Sequence, residues 1–517
     1  MAHFLGIDIA TQSLTGVVID SDTCERVLVV SVRYQELKRF PSRGYLYADD
    51  SLEQHADPLM WIEALEEMLR RGKEDEKYDW SQVAGVACSG QQHGTVYLNA
   101  GCHAARWDAG RSLVDQVQPL LSRKTAPIWM DSSTSAECDE IAAATPGGRL
   151  GVSSISGSCP IERFSGPQIR KFAKTATAAY EATARVHLVS SFFAYLLTES
   201  DAAIDLGDGA GMNLLDLSTG RWSDVLLQAT APGLAQRLPE ARPCDTVTGL
   251  VAPFFQTKYG FGAKVPVLVS TGDNPSSLIG MGASDPGQVI ISLGTSDTLF
   301  AALSKPLTDP AGFGHVFGNP AGGFMSLICF KNGSLAREHV AKRFNLSWSD
   351  FSAAIEDSQP GNGGNLMLPF LFPEITPRVT TAGIDLFGSE AFVGWRDPVA
   401  AARAVVEAQA VSMRVHSRWI GESSSSILVT GGASENDGIL QVFADVFQAP
   451  LQRLSISDSA AQGAAIRIAQ KITGKSWSTF YSNLSKPAGD TIRPRAAAAE
   501  AYVRLEQEFL ARLANRT

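Results

Sequence analysis

The 517-residue chain carries 44 Lys and Arg against 54 Asp and Glu, a formal net charge of −10, and its sequence pI is near 5.4. An acidic chain lacks the concentrated basic surface that nucleic acid demands. With 44% hydrophobic and 19% charged residues, disorder, collagen and coiled coil are excluded as descriptions of the whole.

At roughly 150 residues per domain, two to four domains are expected. The most apolar stretch, LVSSFFAYLL (188–197), falls well short of the roughly 20 residues a bilayer needs, so no membrane partner is expected. The opening MAHFLGIDIA has no basic region before a long apolar run, and no secretory signal is expected. Seven cysteines (Cys24, Cys88, Cys102, Cys138, Cys159, Cys244, Cys329) are dispersed without CxxC spacing, which reads as reduced thiols in a cytoplasmic protein.

In chain order, FLGIDIA (4–10), the polar turn Thr11-Gln12-Ser13 and LTGVVID (14–20) predict a hairpin. Residues 57–70 predict a helix, with Asp57 as N-cap and Pro58 at its first position. VAGVACSG (83–90) reads as a buried strand running into Gln91-Gln92-His93-Gly94. A helix is expected around 183–197. VPVLVSTGDNPSSLIG (265–280) predicts a strand, a Gly272-Asp273 turn and a helix opened by Asn274-Pro275. VIISLGTSDTLFAAL (289–303) predicts strand, turn and strand, and 398–419 a long helix. Residues 427–454 read as strand, glycine turn, helix and strand, and 494–514 as an amphipathic helix.

Shifting by 284 residues lays Ala10-Thr11-Gln12 on Gly294-Thr295-Ser296, so each half opens on an apolar hairpin with a hydroxyl-bearing turn. This echo predicts two related lobes of about 250 residues, divided within FQTKYGFGAK (255–264).

Asp8 interrupts an apolar strand, where a buried carboxylate is costly unless paired or metal-bound. It reads either as a Mg²⁺-associated group or as a partner for the amides of its own turn. Gly294-Thr295-Ser296 reads as an ordinary hairpin loop or as an anion-binding turn. Gly431-Gly432-Ala433-Ser434 reads as tight strand–helix packing or a nucleotide site, without the spacing of a dinucleotide fold or of a P-loop. Asp273 reads as a helix cap or as a carboxylate that accepts a hydroxyl proton. Gln92, His93, Asp131, Arg163 and Asn274 supply the donors and acceptors that a polyhydroxylated ligand requires.

Taken together these residues resemble a known family. GIDIATQS (6–13), SGQQHG (89–94), WMDSST (129–134), ERFSGPQI (162–169), TGDNPSS (271–277), SLGTSDTLF (292–300), CFKNGSL (329–335), SWSDFS (347–352), GNGGNL (361–366) and TGGAS with LQVFADVF (430–447) resemble, in order, the FGGY carbohydrate kinases, and within them the eukaryotic-type branch acting on D-xylulose.

The resemblance implies an α/β chain of two actin-like, ribonuclease H-like lobes with an interlobe cleft: 1–262 sugar-binding and 263–517 nucleotide-binding. It implies ATP and Mg²⁺, with Asp8 toward the metal and Asp273 as catalytic base. Thr11, Gln12, Ser13, Gly294, Thr295 and Ser296 would serve as phosphate turns. Gly431, Gly432, Ala433, Asn436 and Trp348 would face adenosine. The sugar would meet Gln92, His93, Asp131, Arg163, Asp273 and Asn274. Dimers occur among similar kinases.

Two departures stand out: Ala10 precedes Thr11 where much of the family has glycine, and Gln92 replaces a methionine frequent in bacterial members. The alternatives are another kinase of the family, acting on ribulose, gluconate or glycerol, and a non-catalytic actin-like ATPase or sugar-sensing module.

Overall fold

A computed structural model of the chain describes residues 2–421 and 426–516. The fold divides into two compact units. The first runs to Ser284 and adds Val316–Met325 and Ser457–Lys486; the second comprises Asp285–His315, Ser326–Ile456 and the residues from Pro487 onward. The expected division at 262/263 differs from this one for a topological reason: the strands just beyond it complete the first sheet.

In the first unit, β1 (His3–Ile9) pairs antiparallel with β2 (Ser13–Asp20), and β2 with β3 (Glu25–Arg33). Helix α1 (Pro58–Glu74) starts as predicted, with the Asp57 carboxylate accepting from Leu59 N–H. β4 (Val83–Gly90) lies parallel to β1. β5 (Thr95–Asn99) pairs with β6 (Thr183–Leu188) in a small separate sheet.

Thr183–Leu188 was expected to be helical, but helix α2 (Val189–Thr198) begins only after it. Thr183 and Val186 are β-branched, and cross-strand pairing with β5 decides the matter. The first sheet then continues with β7 (Val247–Leu250), β8 (Pro266–Leu268) and β9 (Thr271–Gly272), giving the order β7-β8-β4-β1-β2-β3 with β9 beside the end of β4. Helix α3 (Asp273–Gly280) follows β9 directly.

Strand alternation sends Leu5, Ile7 and Ile9 of β1 into the core shared with α1, and Phe4, Gly6 and Asp8 to the opposite face. That second face is covered by helix Ser459–Thr473, the segment by which the chain returns to this unit. The approach is close. A Cβ on Gly6 would lie 2.0 Å from the Ala461 carbonyl, and one on Gly280 of α3 1.9 Å from that of Ser459. A Cβ on Gly463 would lie 1.9 Å from the Ser276 carbonyl. Gln462 fastens the crossing by donating to the Gly280 and Leu484 carbonyls while accepting from Arg26.

The second unit repeats the opening pattern. β10 (Val289–Leu293) pairs antiparallel with β11 (Asp297–Leu303) across Gly294-Thr295-Ser296. The helices that follow include α4 (Ser334–Arg343), α5 (Trp348–Glu356) and the long α6 (Pro398–Ser417). β12 (Ile427–Thr430) lies parallel to β10, as β4 does to β1. After β12 come α7 (Asp437–Phe447), β13 (Leu451–Arg453), β14 (Ala488–Ile492) and the amphipathic α8 (Ala499–Leu513). The glycine turn after β12 does not lead straight into helix, because a short 3₁₀ turn, Gly432–Glu435, intervenes and Asn436 caps α7.

Glycine inside a helix is about 1 kcal/mol worse than alanine, so at Gly463 close approach outweighs propensity. Gly463→Ala is therefore expected to lower the unfolding free energy by about 1–3 kcal/mol, the scale of overpacking, in urea titrations. A gain in stability would show that the backbones are not in contact.

Candidate active site

Two carboxylates end neighbouring chain segments in the first unit. Register places Asp8 of β1 opposite Ser89 of β4, while Ser89 and Gly90 face Thr271 and Gly272 of β9 on the other side. Asp273, at the start of α3, therefore follows directly from the strand end next to β4. Such carboxyl ends of parallel strands are where α/β sheets present ligand sites.

Asp8 is buried and its Oδ1 accepts from Ser89 Oγ at 2.7 Å. Burial, together with the Asp458 carboxylate, pushes its carboxyl up to about 6 against the Ser89 hydrogen bond. Asp273 is half-buried; desolvation first and the Asp8 charge second push it up to about 7, opposed by backbone N–H groups of Asn274 and Gln92. A carboxyl poised near neutrality suits proton acceptance from a hydroxyl.

Around Asp273 the expected polar groups converge. Its Oδ1 accepts from the Asn274 backbone N–H (2.8 Å) and from Asn274 Nδ2 (2.9 Å), and the same amide donates to Gln92 Oε1 (2.9 Å). His93 has a left-handed backbone, φ 71°, a conformation that stores local strain. Its Nδ1 lies 2.8 Å from the Gly211 carbonyl, which can only accept, so the proton sits on Nδ1 and Nε2 is left as an acceptor. Burial, aided by the Arg163 charge, pushes the imidazole down to about 3, and it remains neutral. The ring stacks on Phe164 at 4.2 Å, with the Arg163 guanidinium 5.8 Å from the centre of the same phenyl.

Asp131 differs from these groups. Its Oδ1 accepts from Ser133 N–H, Ser133 Oγ and Gln168, while Oδ2 accepts from Gln54 N–H and lies 3.5 Å from His55. Those donors hold it well below the usual carboxylate range despite its burial. Its oxygens are committed to fixing the loop that carries Trp129.

The first hydroxyl turn is braced from outside. Ala10 N–H donates to the Ser13 carbonyl, Tyr34 Oη donates to the Ala10 carbonyl, and Trp129 Nε1 donates to Thr11 Oγ1 at 2.8 Å. Ala10 is not among the residues with positive φ, so the turn closes without a glycine at this position.

In the second unit a cavity of about 790 Å³ is lined by Gly294, Thr295, Trp348, Gly432, Ala433 and Asn436, together with acidic and hydroxyl groups of α4 and α5. Trp348 is 51% exposed there. Gly431 (φ 91°) lies so close to β10 that a Cβ would reach 2.6 Å from the Leu293 carbonyl. Thr295 and Ser296 are exposed at the turn, which is anchored from below. Arg337, fully buried, grips both Asp297 oxygens at 2.8 and 3.0 Å, and Ser334 N–H donates to the Gly294 carbonyl.

The donor set around Asp8 fits a hard cation. Its Oδ2 has no hydrogen-bond partner among the described residues, and the Asp273 and Asp458 charges lie near it. Among the described residues no cluster of three His, Cys, Asp or Glu forms a protein cage. A Mg²⁺ ion here would draw its other ligands from water and phosphate, as Mg²⁺ commonly does.

Sequence reading missed Ser89, Asp458 and Arg337. Ser89 and Asp458 become visible only through strand register and the returning helix, and Arg337 only through its pairing across 40 residues with Asp297.

The FGGY N-terminal domain of carbohydrate kinases matches residues 3–280 and the FGGY C-terminal domain residues 289–470. The chain is 38% identical to rat xylulose kinase over 98% of its own length and 97% of the rat protein. Two structures from Lactobacillus acidophilus, a ligand-bound xylulose kinase and a gluconate kinase, each superpose with TM-score 0.82 over 99% of this chain and 97% of theirs, at 17% and 18% identity.

The raised Asp273 carboxyl makes a signed prediction. Its native value near 7 lies above the unfolded value of about 3.9, so the native state holds the proton longer and stability is lost as pH rises from about 4 to about 7. Asp273→Asn removes this loss. Thermal unfolding of the ligand-free protein should show a stabilisation that grows across that window, and an increment that is flat or shrinks with pH would contradict the assignment.

Proposed function

Because the chain belongs to the FGGY family of carbohydrate kinases, we propose that it transfers the γ-phosphoryl group of ATP to D-xylulose, giving D-xylulose 5-phosphate and ADP. The observation that carries the choice of sugar is near-full-length identity with rat xylulose kinase. The fold carries none of it, since a xylulose kinase and a gluconate kinase superpose equally well.

In the proposed reaction Asp273 Oδ2 accepts the proton of the sugar's terminal hydroxyl, Oδ1 being engaged by Asn274. The freed oxygen attacks the γ-phosphorus in line, a reaction governed by positioning and electrostatics. His93 Nε2, held neutral, accepts from a sugar hydroxyl beside the Arg163 guanidinium, and Gln92 and Asn274 border the sugar while their amides hold Asp273 in place. Asp8 would hold Mg²⁺, which when bound would neutralise charge on the transferring group. Thr11-Gln12-Ser13 and Gly294-Thr295-Ser296 contribute amides and hydroxyls to the phosphates. Adenosine lies along Trp348, Gly431, Gly432, Ala433 and Asn436. Asp131 serves by holding its loop in place.

A cytoplasmic location belongs to the same proposal. It is supported by seven cysteines dispersed without CxxC spacing and by the lack, among the described residues, of any helix long and apolar enough to cross a membrane.

ADP release measured across D-xylulose, ribulose, gluconate and glycerol should give the highest kcat/KM for D-xylulose, and a higher value for another acceptor overturns the sugar assignment. Asp273→Ala should lower kcat by about 10²–10⁴-fold, the usual contribution of a general base, with ATP affinity retained. Near-normal turnover in that variant removes Asp273 from the role.

A further inference from the structure

Asp208 belongs to no group discussed so far, yet it lies immediately behind the carboxylate site. It sits in the short helix Leu206–Ala210, whose first N–H groups are capped by Asp205, and it is completely buried. Its Oδ2 accepts from Ser190 Oγ at 2.5 Å, while its Oδ1 is buried without a hydrogen-bond partner. Gln92 is the complementary case. Its Oε1 accepts from Asn274, and its Nε2 is buried and equally unpartnered.

These two orphaned atoms converge on one point. A Cβ on Gly272 would lie 2.9 Å from Gln92 Nε2 and 3.0 Å from Asp208 Oδ1, so the missing side chain of Gly272 leaves room for both. A buried donor and a buried acceptor each cost stability when unmade; the two atoms make no direct hydrogen bond, and one water between them would satisfy both.

The orientation of the Gln92 amide matters to the base. With Nε2 directed to Asp208, Oε1 must face Asn274, whose Nδ2 then bridges Gln92 Oε1 and Asp273 Oδ1. A reversed amide would set donor against donor. We propose that Asp208 is a positioning residue for phosphoryl transfer: through Gln92 and Asn274 it fixes which oxygen of Asp273 is left to receive the substrate proton. The proposal rests on Asp273 being the base. Burial first, and then the Asp205 and Asp273 charges, raise the Asp208 carboxyl above the usual range.

The test is a set of purified full-length variants assayed with D-xylulose and ATP, with ATP affinity and circular dichroism measured alongside. Asp208→Leu is expected to lower kcat about 10–100-fold, the scale of misplaced catalytic groups, with ATP affinity unchanged. Asp208→Asn still offers an oxygen to Gln92 and should recover most of that loss. Gln92→Met should reproduce the loss, and Asp208→Leu added to it should cost little more, since the two act as one unit.

Additive losses, or an Asp208→Asn variant as impaired as Asp208→Leu, overturn the proposal. If Asp208→Leu does not fold, the Gln92 pair decides. Gln92→Glu still accepts from Asn274 and should retain more activity than Gln92→Met, and the reverse order refutes the relay. Asp273→Ala separates the two levels. Activity surviving there defeats the base assignment, whereas an inactive Asp273→Ala beside a fully active Asp208→Leu defeats only the relay.

Discussion

The first unit depends on one close crossing, where helix Ser459–Thr473 lies against β1 and α3 with glycine at the points of contact. Gly6, Gly280 and Gly463 leave no side chain between the backbones. The crossing holds the strand that carries Asp8 against the helix that begins with Asp273, and it brings Asp458, at the head of the returning helix, near Asp8. Like charges gathered in a poorly hydrated corner raise each other's proton affinity. The raised carboxyls of Asp8 and Asp273 are thus consequences of backbone packing, and they persist because the surrounding core over-determines them.

The charge balance sets a second constraint. A chain of net charge −10 does not attract a triphosphate through its overall field. Even the buried cation beneath the second hydroxyl turn is unavailable to an anion, since the Arg337 guanidinium is committed to Asp297. Its work is to stiffen the turn, so that the exposed hydroxyls and amides of Thr295 and Ser296 are presented in fixed positions. Tyr34 and Trp129 brace Thr11 in the same way in the first unit. In both turns the local dipoles are held in fixed positions.

Much of this was legible in the sequence because it is local. The hairpins, the Asp57 cap and the long α6 follow from alternation, helical spacing and capping chemistry, and the 284-residue echo matches two sheets that each pair a hairpin with a parallel third strand. What escaped is non-local. Thr183–Leu188 is a strand only because β5 is beside it, and the unit boundary shifts past 262 because β8 and β9 belong to the first sheet. Asp131 resembles a ligand in sequence, but its oxygens are taken by donors from 54, 133 and 168. Asp208 shows no signal in the chain, since its interest lies in an orphaned oxygen.

The central claim is that burial and the Asp8 charge together tune Asp273 to accept a proton near neutral pH. Carbon-13 carboxyl titration of the ligand-free protein, assigned by Asp273→Asn, tests it directly. Asp273 should titrate near 7 and move lower in Asp8→Asn. A titration at the ordinary aspartate value, about 3.9, and unmoved by Asp8→Asn would contradict the account.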